Sequence, residues 1–116
     1  MAGVVERYLE AITSHDWDAL GDCVADGIVR VGPYSDRYEG KDAYVAFIAD
    51  TMPRLEGYEM QIDRVTYAGD TLAFAELSET VEMNGEPHRT PEALVFELGS
   101  DGLIARVDVF IQTPEG

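Results

Sequence analysis

What most constrains the fold of this chain is a change of hydrophobic period near residue 58. Apolar residues recur at helical spacing before it and alternate after it. Val5, Leu9 and Ile12, with Val4 and Tyr8 beside them, predict an amphipathic N-terminal helix. Asp16 offers an N-cap to a short second helix that would bury Trp17, Leu20 and Val24. Ile28 to Val31 reads as a strand ended by Gly32-Pro33, and Tyr34 to Glu39 as a polar, aromatic loop. After Gly40 a third helix presents Phe47, Ile48 and Met52 on one face, and Pro53 stops it.

From Tyr58 onward the period is two. Tyr58, Met60 and Ile62 alternate with polar residues, but Val65 and Tyr67 fall in the opposite phase, which predicts a β-bulge near Asp63-Arg64. Ala68-Gly69-Asp70 turns the chain into a long strand, Thr71 to Met83. Asn84-Gly85 supplies the positive φ angles of a type I′ hairpin turn. The next strand runs to Leu98, with Pro87 and Pro91 confining its start to an edge or bulge. Ser100-Asp101-Gly102 turns into the last strand, Leu103 to Gln112. Helices first and long strands after them predict an α+β fold, an antiparallel sheet packed on three N-terminal helices.

Charge narrows the partners. Eight Lys and Arg stand against 23 Asp and Glu, a net charge of −15. Nucleic acid and anionic membranes both need basic patches, which so few scattered cations do not make. Solubility is the plain reading of the charge, with a basic partner protein as the alternative. No stretch approaches the ~20 apolar residues of a membrane span. The single cysteine, Cys23, has no internal disulfide partner, so a reducing, cytoplasmic setting is expected. With only His15 and His88 and no second cysteine, neither a metal site nor a cofactor is expected.

The order of elements, with "VVERYLEAI", "HDWDAL", "ALGDCVADG", the Gly40-led "GKDAYVAFIADTMP" and the terminal "VFELGSDGLIARVDVF", resembles the nuclear transport factor 2-like superfamily across essentially the whole chain. That group includes ketosteroid isomerases, limonene-epoxide hydrolase and SnoaL-like polyketide cyclases. The resemblance implies one SnoaL-like domain over residues 1–116, folded as a cone around a small-molecule pocket (the cystatin-like, nuclear transport factor 2-like architecture). It also implies dimers. Tyr8 falls where ketosteroid isomerases carry an oxyanion-binding tyrosine, and Phe47 where an aromatic lines their pocket. Their aspartate base would precede Pro33, where this chain has Gly32, and their second acid would fall near Leu94. No useful ketosteroid isomerase activity is therefore expected. Of the epoxide hydrolase acids, one position holds Val109, with Asp108 on the opposite face; Glu79 of Leu77-Ser78-Glu79 is the one acid that carries over.

Alternation gives an independent reading of the pocket. Taking the more apolar phase as inward puts Leu77 and Glu79, then Leu94 with Thr90 and Glu92, then Val107 and Val109 inside, with Arg30 in phase from the first strand. Tyr8 and Glu79 are the candidate catalytic groups. Arg30, Phe47, Met52, Leu77, Thr90, Glu92, Leu94, Val107 and Val109 are the candidate substrate-binding residues. Glu79 is expected to be the chief pocket carboxylate, partnered by Arg30 or Tyr8. Each polar group has a structural alternative: Tyr8 as a helix-face aromatic, Glu79 at a solvated rim, Arg30 in an ion pair. Such a pocket suits a small, hydrophobic or partly polar molecule. Two kinds of function follow: a cofactor-independent acid–base isomerase, cyclase or hydrolase, or a non-catalytic ligand-binding or protein-interaction module. Val95, Arg106 and Phe110 lie in the outward phase, so a homodimer through the outer sheet face is expected.

Overall fold

A computed structural model describes residues 3–112, so the two ends of the 1–116 span lie outside the described residues. Helix α1 (Val4–Ser14) ends where His15 takes a left-handed conformation. The Asp16 side chain accepts from the Ala19 N–H at 3.1 Å and caps α2 (Trp17–Cys23). Strand β1 (Val24–Val31) follows without a break, then β2 (Arg37–Glu39), α3 (Lys41–Thr51) and a single 3₁₀ turn at Met52–Arg54. The long strands β3 (Glu59–Ala68), β4 (Leu72–Met83), β5 (Glu86–Leu98) and β6 (Ile104–Ile111) complete the chain.

All six strands form one sheet in the order β2-β1-β6-β5-β4-β3. The bulge falls between Ile62 and Arg64, and it brings Val65 and Tyr67 onto the face of Ala75 and Ala73. Asn84 and Gly85 both have positive φ in a tight turn that pairs Met83 with Glu86. Three features depart from the sequence reading. The sheet is mixed, because β1 and β6 run parallel while every other neighbouring pair is antiparallel. A parallel pair needs a long crossover, which α3 and the β3–β5 meander provide. The expected Tyr34–Glu39 loop contains β2, and Val24 belongs to β1 rather than to α2.

The helices cover the concave face. Leu9, Leu20, Ile28, Leu77, Phe96 and Ile104 are fully buried between the layers, with the Phe96 ring edge-on to Tyr8 at 5.5 Å. Val107, expected to line the pocket, is instead fully buried in this core. Trp17 is only half-buried and stacks on His15 at 5.2 Å. Among the described residues no helix is long and apolar enough to cross a membrane.

Candidate functional site

Between α1, α3 and the concave face lies a cavity of about 200 Å³. That is below the ~300 Å³ at which pockets for drug-sized ligands begin. Tyr8, Glu79, Arg30, Phe47, Met52, Leu77, Glu92, Leu94 and Val109 all line it, whereas Thr90 and Val107 do not. Thr90 pairs with Glu79 across the β4–β5 ladder and lies outside the lining. Sequence reasoning missed Tyr44 and Met60 in the wall, while Ile111, in the inward phase of β6 with Val109, does line it. Tyr44 stands one helical turn before Ile48, a spacing that would have found it.

The polar centre is a pair of carboxyls. Glu79 faces Thr90, and Glu92 lies two residues further along β5 on the same face, a diagonal that long side chains span. That places the two carboxyls close enough for Glu79 to act on Glu92 both as a charge and as a hydrogen-bonding neighbour. Burial, reinforced by these two effects of Glu79, pushes the Glu92 carboxyl up to about 9, while the Arg30 charge opposes the rise. Glu92 therefore keeps its proton at neutral pH. Glu79 also accepts a hydrogen bond from the Tyr58 hydroxyl. Burial first and the Glu79 carboxylate second push that phenol well above its ordinary range, so it stays a donor.

The expected partnership of Glu79 with Arg30 or Tyr8 is corrected by this geometry. Arg30 instead donates to Asp36 at 2.7 Å and lies 5.3 Å above the Phe47 ring, which itself stacks on Tyr38. Gly32 makes room for this ion pair: a Cβ there would fall 2.3 Å from the Asp36 Oδ1 and 2.6 Å from the Arg30 Nη1. An acid before Pro33 would thus displace the pair. The Tyr8 hydroxyl is hydrogen-bonded to that of Tyr44, with the rings nearly parallel. Burial pushes the Tyr44 phenol up to about 12, and burial with the neighbouring Tyr44 drives Tyr8 well upward. Both remain neutral donors at physiological pH. Among the described residues no group of three His, Cys, Asp or Glu is placed to hold a metal ion.

The raised Glu92 carboxyl has a consequence for stability. Between its ordinary value of 4.5 and about 9 the native protein holds a proton that the unfolded chain has released. This contribution is fully present below the unfolded value and is lost as the pH rises through the native one. Glu92→Gln removes the titration. Urea unfolding at about pH 5 and about pH 8.5 is therefore expected to show the variant gaining on the wild type as the pH rises. A stability difference independent of pH would mean that Glu92 titrates as an ordinary carboxyl.

A helix-roofed, curved mixed sheet of this order is the nuclear transport factor 2-like α+β cone fold. The sequence profile of the SnoaL-like domain matches residues 5–107, and the chain belongs to that family. Among solved structures, a candidate ketosteroid isomerase from Kribbella flavida superposes with a TM-score of 0.83 at 18% identity, covering 97% of this chain and 78% of its own. A limonene-epoxide-hydrolase-like epoxide hydrolase of M. tuberculosis gives 0.81 at 21% identity over 94% and 80%. A candidate SnoaL-like polyketide cyclase from Shewanella denitrificans gives 0.81 at 13% over 94% and 88%. At these identities the likeness is one of fold. No curated protein matches the sequence.

Proposed function

We propose that this chain is a cofactor-independent acid–base enzyme acting on a small, partly hydrophobic molecule that carries an oxygen function, in the manner of an isomerase, cyclase or hydrolase. The observation that carries the reading is the placement of Glu79 and Glu92 on one face of a cavity walled mainly by apolar and aromatic residues. Two chemically identical groups held in different protonation states supply a base and an acid side by side. Glu79 takes a proton from a carbon or a water, and Glu92 gives its own proton to the substrate oxygen. Transfer between the two carboxyls then returns the proton from Glu79 to Glu92, so the cycle balances without an external reagent.

The test is a panel of small epoxides and enolisable ketones offered to purified protein in D₂O and followed by NMR. Ring opening or deuterium incorporation above the buffer rate supports the proposal. Saturable binding without conversion across the panel would overturn it in favour of a binding module.

The same reading takes residues 1–116 as one SnoaL-like domain working in the cytoplasm, a setting supported by a single cysteine that is buried and free. It also takes the working form as a homodimer joined through the convex sheet face. Support comes from Phe110, 59% exposed on that face.

A further inference from the structure

Two glutamates have the same intrinsic affinity for a proton, so their surroundings must decide which one holds it. Four segments packed around the pair contribute titratable groups. From β1 comes Arg30, neutralised by Asp36 at 2.7 Å and felt at Glu92 in the sense that favours charge there. From α1 and α3 come the Tyr8 and Tyr44 hydroxyls, hydrogen-bonded to each other. From the residue just before β3 comes Tyr58, whose hydroxyl is donated to Glu79. Of these groups, Tyr58 breaks the tie toward a charged Glu79, and it acts against Arg30. We propose that Tyr58 is a positioning residue that assigns the pair's proton, holding Glu79 as the base and leaving Glu92 as the acid.

The chain is built to aim this phenol. Tyr58 lies two residues before Met60, which pairs with Glu79, so the two side chains point to the same face. The turn before it is fixed to the neighbouring strand by the Glu82 N–H, donated to the Glu56 carbonyl at 2.8 Å. Gly57 allows this turn, with φ of +62° and the Glu82 side chain 2.8 Å from where a Cβ would stand. A phenol held in this way has a single proton to give, and a carboxylate is the acceptor that strengthens the bond most.

The chemical use of this assignment rests on the acid–base reading above, but its test needs no substrate. The full chain is labelled with ¹³C at the glutamate carboxyls, Glu79 and Glu92 are identified with E79Q and E92Q, and both are titrated in wild type and Y58F. In the wild type at pH 7 the Glu79 carbon is expected at its ionised shift and the Glu92 carbon at its protonated shift. In Y58F the partition between them is expected to move by about tenfold or more toward protonated Glu79. The amide spectrum outside the cavity reports that the fold is kept. An unchanged partition in folded Y58F, or a wild type with the proton on Glu79, would overturn the proposal. A protein that binds without turnover would still show the partition, so failure of the enzymatic reading is told apart from failure of this one.

Discussion

Glu79→Gln is expected to lower kcat by roughly 10²–10⁴-fold on any substrate found in the panel, the range general-base removal commonly produces. The amide keeps the shape of the carboxylate and still accepts from the Tyr58 hydroxyl through its carbonyl oxygen, so packing is retained. It cannot take a proton. The loss should therefore appear in kcat, with KM changed little, because the interaction removed is made in the transition state. A folded Glu79→Gln protein with kcat within about threefold of wild type would exclude Glu79 as the base.

Phe110→Lys is expected to weaken self-association by about thirtyfold or more, corresponding to a hot-spot loss of ~2 kcal/mol. Two chains of charge −15 repel over most of their surface. On the convex face part of this acidity is offset: Arg64 pairs with Glu76, and Arg106 pairs with Asp108 at 2.8 Å and Glu97 at 3.7 Å. On that surface Phe110, Pro91 and Ala93 border a shallow depression of about 390 Å³. An aromatic side chain more than half exposed gains most from a partner there. A lysine in its place adds a charge that a closed interface must desolvate. Sedimentation equilibrium at micromolar concentrations separates the outcomes. Equal dissociation constants for the two proteins, or a wild type that is monomeric at tens of micromolar, would contradict the assignment of this face.

The parts of the architecture legible in the sequence were those with local causes. Asn84-Gly85 announced its hairpin because few residues tolerate positive φ, and the phase slip between Ile62 and Val65 announced the bulge. The inward phase of β4 carried Glu79 into the cavity and that of β5 carried Glu92. What stayed hidden depends on contacts between distant segments. The parallel pairing of β1 with β6 joins residues 77 to 80 apart and leaves no periodic trace, as Arg30 opposite Val107 illustrates. Arg30 had several acids within reach in the sequence, and its choice of Asp36 follows from the turn at Gly32. The union of Glu79 with Glu92 was hidden for the same reason: a diagonal contact between strands exists only once the register is known. Tyr58 read simply as one step in an alternating strand, because periodicity places a ring on a face but says nothing of its hydroxyl.

The claim on which this account turns is that a protonated carboxylic acid persists in the cavity at neutral pH. Difference infrared spectroscopy of wild type against E92Q tests it directly, since the C=O stretch of a protonated carboxyl is separate from the bands of carboxylates. The account predicts that band in the wild type at pH 7, its absence from E92Q, and its disappearance as the pH passes about 9. A wild-type spectrum without any protonated carboxyl at pH 7 would contradict it.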